Sequence, residues 1–464
     1  MQTAAEWACQ QWATVELGDA RLTQRAVRMG AKMAAHPEES LPNQMGKPSE
    51  LKAAYRVLNH DAVTLEALTA PHRQETLRAS QHAPVVLMVE DTTELDFTAH
   101  RSKTGLGPIG DGNGRGMLLH STLAVLPETR AIVGLAHVQV VLRQPRSEQK
   151  WARSPEGLLW EVSAQRVGAP DPGVTWVHVS DAGSDNFAYM ATCVALGKDF
   201  LVRAQYNRVL HGEVEQPEAQ ADETRKLFDY VRSLPLVEET SYTVEVSAQK
   251  QQPRREARVA LAWTQVVLRP STQAPPEVRQ HGPITAWVVR VAELDAPADV
   301  EPLEWILITS LPVLNAADAR QMVEWYTCRW LCEDYHQCLK TGCQVEQSQL
   351  DDGADIRRLL GFLVPLAVRL LQLRQAVRHT PDRPAIEVVK PLLVQVLTRL
   401  TKGDWRTLSV SDFWRQVAQL GGHQGRRRDG PPGWRTLWRG WLYLADVTEG
   451  ARLFAAPDSA EKCG

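Results

Sequence analysis

Two short apolar runs, each ending in an aspartate, constrain the fold of this chain more than any other feature of its sequence. Residues 84–91 form a short apolar run that ends at Asp91, which is typical of a buried strand. Residues 174–181 alternate apolar and polar side chains and end at Asp181. Further patterns surround them, strand-like at 118–126, 131–142 and 199–204, and helical at 154–167 and 186–196. This order of strands and helices predicts an α/β core.

The flanking segments have different patterns. Residues 6–77 show helical periodicity broken by turn signals, which predicts a small helical domain. Between 205 and 302, strand-like segments alternate with polar, proline-rich stretches, and we expect a β-rich insertion. After a strand at 305–309, helical patterns continue to about residue 453. The expected domain boundaries are 1–78, 79–375 and 376–464.

The overall charge gives no sign of a polyanionic partner. The chain has 52 Lys and Arg against 55 Asp and Glu, a formal net charge of −3, whereas nucleic-acid-binding domains usually carry a basic excess. Any DNA-binding surface must therefore be local. The candidate is a set of basic residues in the first domain, four of them at helical spacing: Arg21, Arg25, Arg28, Lys32 and Arg56. A solvated helix face remains the alternative.

No segment predicts a membrane span or export. The most apolar stretch, 359–373, contains Pro365 and Arg369 and is shorter than the roughly 20 apolar residues that a membrane helix needs. The N-terminal residues lack the basic and apolar regions of a secretion signal. We expect a cytoplasmic protein with no membrane partner, in which the seven cysteines are free thiols.

One helical segment, 326–340, places polar side chains of complementary chemistry together. At about 100° per residue, a narrow stripe of a helix would hold four of them: Tyr326, Arg329, Glu333 and Lys340. A carboxylate can bind a hard cation while guanidinium and ammonium groups hold phosphate oxygens, so the stripe indicates phosphate chemistry. The alternative is an exposed helix with an ordinary salt bridge between Arg329 and Glu333.

Four cysteines occupy the opposite half of the same segment: Cys328, Cys332, Cys338 and Cys343. With His336 they could form a zinc site, but no pair has the CxxC spacing of common structural sites. Small apolar packing on the buried side of the helix is the preferred interpretation. Near the C-terminus, Trp434, Trp438 and Trp441 lie at helical spacing, which indicates either core packing or a subunit interface.

The spacing Y-x2-R-x3-E-x6-K from Tyr326 to Lys340 resembles the signature of the insertion-sequence-four family of DDE transposases, in its transposon-five-like form. Other stretches resemble the family in order along the chain, at 54–56, 89–93, 120–121, 304–310, 340–342, 367–374 and 420–422. The resemblance implies an RNase-H-like catalytic domain with a β-rich insertion. It also implies a helical transposon-end-binding domain before it and a helical dimerisation region after it.

The resemblance also implies the roles of individual residues. Asp91, Asp181 and Glu333 would be the catalytic acids and the ligands of two Mg²⁺ ions, for which Mn²⁺ would substitute. The residues that would contact DNA are Tyr326, Arg329, Lys340 and Arg203, with Trp305 and Trp330 holding a flipped base while the end forms a hairpin. The family's best-known member carries a lysine where this chain has Gln337.

The expected function is cut-and-paste DNA transposition by a bacterial enzyme. Its partners would be double-stranded DNA, both the terminal inverted repeats and the target, and a second copy of the chain in the synaptic complex. Two other functions fit part of the pattern. One is a DNA-binding regulator that has lost catalysis, and the other is an RNase-H-like structure-specific nuclease without strand transfer.

Overall fold

The computed structural model describes residues 3–144, 156–210, 225–246, 255–298, 300–379, 382–426 and 432–455. The strands are β1 (Val85–Asp96), β2 (Gly107–Ile109), β3 (Gly114–Val125), β4 (Ile132–Val141), β5 (Thr175–Ser180), β6 (Asp199–Arg203), β7 (Val209–Leu210), β8 (Arg225–Lys226), β9 (Val237–Val246), β10 (Arg255–Leu268), β11 (Ile284–Glu293) and β12 (Glu304–Thr309).

The helices that precede or interrupt the strands are α1 (Ala4–Trp12), α2 (Ala20–Ala35), α3 (Leu41–Met45), α4 (Pro48–Leu58), α5 (Leu65–Ser80), α6 (Leu159–Val167), α7 (Phe187–Ala195), α8 (Leu227–Ser233) and α9 (Pro276–Arg279). Those that follow are α10 (Ala316–Thr327), α11 (Trp330–Gln337), α12 (Gly353–His379), α13 (Ala385–Val388), α14 (Pro391–Thr401), α15 (Val410–Leu420) and α16 (Trp434–Ala455).

A single mixed sheet forms the centre of the described chain. Ten strands lie in the order β2-β3-β1-β5-β6-β12-β11-β10-β9, with β4 paired to β3. Strands β5 and β6 run parallel to β1, and the other pairs are antiparallel. Because the sheet is covered on both faces here, residues 86–90 of β1 and 176–180 of β5 are buried, as the apolar run at 84–91 predicted. The expected α/β class is confirmed.

The region 205–302 contains strands, as expected, but they do not stand apart from the core. Strands β9, β10 and β11 extend the central sheet through β12, and only β7 and β8 form a small separate pair among the described strands. Residues 211–224, 247–254 and 299 of this region lie outside the described residues.

The N-terminal helices pack against one another and onto the long helix α12. Thr3 and Glu6 form a reciprocal capping box at the start of α1, and Asp19 caps α2. The indole of Trp12 lies so close to Gly30 that an added Cβ there would be 2.1 Å from the ring. Trp12 also contacts Phe362 of α12 at a ring distance of 5.2 Å. The predicted helical segment 6–77 therefore forms a packed layer.

The last two helices cross at glycines. A Cβ on Gly440 of α16 would lie 1.7 Å from the carbonyl oxygen of Val417 in α15. Trp438 and Trp441 are each 1% exposed, so core packing is confirmed for these two residues of the tryptophan stripe. The side chain of Trp434 lies outside the described part of the chain. No described helix is long and apolar enough to cross a bilayer.

We expect Gly440→Ala to destabilise the protein by about 1–3 kcal/mol, because the added methyl group overpacks a helix crossing. Gly450→Ala on the same helix is the control. An added Cβ at Gly450 meets nothing within 4 Å, so the higher helix propensity of alanine should leave stability unchanged or raise it by up to about 1 kcal/mol. Chemical denaturation measures both variants. Equal stability of the two variants would contradict the close crossing.

Candidate active site

The register of two parallel strands brings the two sequence-predicted aspartates together. Glu90 of β1 pairs with Ser180 of β5, so the next residue on each chain segment, Asp91 and Asp181, occupies equivalent positions. The prediction that Asp91 ends its strand is wrong, because β1 continues to Asp96 through its pairing with β3. Strand β5 ends at Ser180, and this leaves the carboxylate of Asp91 open on the side of β5.

Asp91, Asp181 and Glu333 lie close enough together to interact electrostatically. The side chain of Asp91 is 15% exposed and accepts a 2.8 Å hydrogen bond from the backbone N–H of Thr92. Burial raises the pKa of Asp91 to about 6, and the nearby carboxylates of Asp181 and Glu333 act in the same direction while Arg329 opposes them. Asp181 accepts a 3.0 Å hydrogen bond from the N–H of Gly183.

The segment that carries the third acid is not the single helix that its periodicity predicted. Helix α10 ends at Thr327, whose carbonyl oxygen accepts a 2.8 Å hydrogen bond from Arg130 in the β3–β4 turn. Helix α11 begins at Trp330, and a π-helical turn, Cys338–Gly342, follows it. The intervening backbone stays in the right-handed helical region. The stripe is therefore bent, yet its side chains still converge.

Arg329 lies between two of the acids. Its guanidinium is 2.8 Å from Glu333 and 3.6 Å from Asp91, and the residue is only 7% exposed. Its Nε atom is buried without a hydrogen-bond partner, and its Cζ lies 4.5 Å above the ring of Trp330. Arg329 is thus the cation that compensates the clustered carboxylates.

Tyr326 lies within electrostatic range of Asp181 and of two other predicted DNA contacts, Arg329 and Arg203. Burial raises the pKa of Tyr326, and the charges of Arg329 and Arg203 act in the opposite direction. Both cations are therefore within electrostatic range of its phenol. The ring of Tyr326 packs edge-on against Trp305 at 5.6 Å, so both aromatic rings are partly committed to packing.

Trp330 is half exposed, at 49%, and is the more available of the two predicted base-stacking residues. Lys340 lies in the π-helical turn, 3.4 Å from Glu346. Together with Asp91, Glu333 and Thr93 it lines an open cleft of about 340 Å³. Asp91, Glu333 and Lys340 therefore line the cleft, while Arg329 and Tyr326 are buried beside the acids.

The side chains present fit a hard divalent cation in chemistry. They supply carboxylate oxygens, which Mg²⁺ prefers. A bound cation would also relieve the repulsion between the carboxylates. Among the described residues, no three His, Cys, Asp or Glu side chains are arranged to hold a metal ion as they stand. Arg329 lies between Asp91 and Glu333, where its guanidinium and a metal ion would compete for the same oxygens.

The four cysteines of the segment behave as the packing hypothesis predicted. All four are buried and free, and none of them lines the cleft: Cys328, Cys332, Cys338 and Cys343. Burial raises the pKa of each of Cys328, Cys332 and Cys343, so these thiols stay protonated and act as small apolar groups.

Most of the predicted basic surface of the N-terminal region is exposed. Arg21, Arg25 and Arg28 form one outer face of α2, and Arg56 is exposed on α4. Lys32 differs, because its ammonium donates a 2.9 Å hydrogen bond to the carbonyl of Met45 and so holds the end of α3. Lys32 has a structural partner that its spacing alone did not indicate.

A buried polar layer lies beneath the two aspartates and was not among the features predicted from the sequence. Its central residue is Glu90, which is 0% exposed together with His120 and His178. The available signal was the placement of charged and polar residues within otherwise apolar strands, since Glu90 and His178 interrupt the two runs that end in aspartate.

One comparison with known proteins bears on function. Residues 4–63 match the model of a family described as transposase DNA-binding. The match covers helices α1 to α4, which carry the exposed basic face. It supports a transposase, with DNA as a partner of the N-terminal region.

We expect Asp91→Asn to stabilise the metal-free protein at pH 8 by on the order of 1–3 kcal/mol. The folded protein raises the pKa of Asp91 to about 6, so the ionised carboxylate is disfavoured on folding. Its cost is absent at pH 4 and develops as the pH rises to about 6. Thermal denaturation with a chelator at pH 4.5 and pH 8 measures the difference.

Asp96→Asn on the same strand is the control, because a hydrogen bond from Thr98 lowers the pKa of Asp96. That change should not stabilise the protein at pH 8. A lower melting temperature of Asp91→Asn at pH 8 than of the wild type would show that the acids do not repel one another.

Proposed function

We propose that this protein is a DDE transposase that cleaves transposon ends by metal-dependent phosphodiester hydrolysis and joins the 3′ ends to target DNA. The observation that carries the proposal is the convergence of Asp91, Asp181 and Glu333 around Arg329. It occurs in a chain whose residues 4–63 match transposase DNA-binding domains. A DNA-binding region joined to a cluster of hard oxygen donors is what a DNA-cleaving enzyme requires.

The three acids would hold two Mg²⁺ ions, or Mn²⁺ in their place. Bound there, such ions activate an oxygen nucleophile and stabilise the leaving oxygen of an in-line displacement. The chain's own cations have a separate role. Arg329 and Lys340 border the acids and would hold the nonbridging oxygens of the scissile phosphate. Tyr326 would add a phenol hydroxyl to the same phosphate.

The aromatic residues support a hairpin step in the proposed cleavage. A released 3′ hydroxyl would attack the opposite strand, which requires a base near the end to leave the stack. Stacking on an aromatic face contributes roughly 1–3 kcal/mol per base, and Trp330 offers a half-exposed ring for it. Trp305, which packs against Tyr326, would also hold the flipped base. Arg203 would hold the DNA backbone.

The RNase-H-like assignment of the central domain belongs to the proposal. It is supported by the strand order β4-β3-β1-β5-β6, in which three antiparallel strands are followed by two parallel ones. We also propose domain boundaries at 78 and 375, the pairing of two copies in a synaptic complex, and a bacterial, nucleoid-associated location. Terminal inverted repeats and target DNA would be the substrates.

We expect Glu333→Gln to lower cleavage by about 10²-fold or more, the scale on which a single preorganised electrostatic group acts. The amide keeps the shape of the side chain but loses the charge that a cation needs. Cleavage is measured on duplex DNA carrying the inverted repeats that flank the gene, with Mg²⁺ and a target plasmid. DNA binding, measured in parallel, should be retained.

Glu324→Gln is the matched control, because Glu324 is exposed on the neighbouring helix α10 and should not affect cleavage. Full activity of Glu333→Gln would refute the proposed acid. Joined products with the wild type indicate a transposase, nicks alone indicate a nuclease, and binding without cleavage indicates a regulator.

We expect the double change Arg25→Gln and Arg28→Gln to weaken binding of the same duplex. The slope of log affinity against log salt concentration should become shallower by about one for every phosphate that the variant no longer neutralises. Arg78→Gln is the control, since Arg78 is exposed, paired with Glu75 at 2.7 Å and outside residues 4–63. An unchanged salt slope in the double variant would exclude this face of α2 from DNA binding.

A further inference from the structure

A connected set of polar side chains lies buried in the sheet below Asp91 and Asp181. We call it the polar layer: Glu90, Thr92, His120, Thr122, Ser163, His178, Ser180, Ser184 and Tyr189. All of its members except Thr92 are fully buried, at 0% exposure. Because side chains alternate along a strand, Glu90 and Thr92 point to the face opposite Asp91. The layer therefore underlies the cleft and does not line it, apart from Thr92 at its edge.

Glu90 is the hub of this layer. Its carboxylate accepts hydrogen bonds from Ser163 of α6 at 3.2 Å and from Tyr189 of α7 at 3.3 Å. The Nδ1 atom of His178 on β5 is within hydrogen-bonding distance of it, and the Nε2 atom of His120 on β3 is 3.8 Å away. One side chain thus ties β1 to both neighbouring strands and to two helices.

The layer reaches both aspartates through short connections. The hydroxyl of Thr92 lies 2.8 Å from Nδ1 of His120, while the N–H of Thr92 donates to the carboxylate of Asp91. On the other side, the hydroxyls of Ser180 and Ser184 are 2.6 Å apart. Ser184 also donates to the carbonyl oxygen of Asp181 at 2.7 Å.

The free-energy cost of burying polar groups makes this layer unusual if its only role is to fill the space between the sheet and its helices. A buried carboxylate costs several kcal/mol unless it is well paired, and apolar residues of similar volume are often as stable or more stable. The surrounding positions of the same strands are apolar, including Met88, Val86 and Trp176. The polar residues are confined to the level of the sheet where the two aspartates lie.

We propose that Glu90 is a positioning residue of the active site, which sets the separation of Asp91 and Asp181 by joining β1, β3 and β5 through the polar layer. The inference rests on the proposed function, because it concerns the two acids that would bind the metal. Glu90 touches neither substrate nor metal. It acts through the strands, as partners of metal ligands in other sites act through the ligands they orient.

Glu90→Gln tests this role in the full-length protein bound to the inverted-repeat duplex. The affinity for Mn²⁺, measured by electron paramagnetic resonance, should fall by roughly 10- to 100-fold, the usual effect of losing a partner of a metal ligand. Cleavage should fall with it, while the dissociation constant of the duplex stays within about twofold. Thr92→Val, which removes only the Thr92–His120 hydrogen bond, gives a milder change of the same kind and remains informative if Glu90→Gln does not fold.

The matched control is Glu293→Gln. The carboxylate of Glu293 is 1% exposed and paired with Arg255, but it lies on β11, away from the cleft. Its loss should lower the melting temperature without changing Mn²⁺ affinity, so it separates a structural effect from positioning.

Two outcomes overturn the inference alone. One is wild-type Mn²⁺ affinity in a folded Glu90→Gln or Thr92→Val protein, and the other is an equal loss of affinity in Glu293→Gln. If the wild type binds no Mn²⁺ in a manner that depends on Asp91, the proposed function fails and this inference fails with it.

Discussion

The repulsion between three clustered carboxylates is the constraint on which the rest of this structure depends. Burial and neighbouring charge raise the pKa of Asp91 to about 6, and Arg329 provides the compensating cation. The guanidinium is buried, it contacts two of the acids, and its Nε atom has no hydrogen-bond partner. The cluster is therefore a place where the fold gives up stability in order to concentrate negative charge.

The central sheet is what makes that concentration possible. Parallel pairing of β1 and β5 fixes the two aspartates at equivalent positions, and the early end of β5 opens the space above Asp91. The third acid comes from far along the chain, on α11, and the end of the preceding helix α10 accepts a hydrogen bond from Arg130.

The sequence predicted the components of the site better than their geometry. Apolar runs located β1 and β5, and helical spacing grouped Glu333 with Arg329, because both patterns reflect local periodicity. The continuation of β1 beyond Asp91 was missed, since pairing with β3 is a tertiary contact. The break after Thr327 and the hydrogen bond from Lys32 to Met45 were missed for the same reason.

The N-terminal region also contacts the segment that follows the π-helical turn. Tyr55 of α4 and Met33 of α2 line a small cavity together with residues 343–345 and 347–350. These belong to the segment 343–350, which follows the π-helical turn carrying Lys340. Glu346 of that segment pairs with Lys340 and accepts a hydrogen bond from the backbone of Asp96 at the end of β1. The segment therefore contacts both the region that matches transposase DNA-binding domains and the strand that carries Asp91. Helix α12 provides a second connection, because it contacts α2 and α4 as well as α11, which carries Glu333.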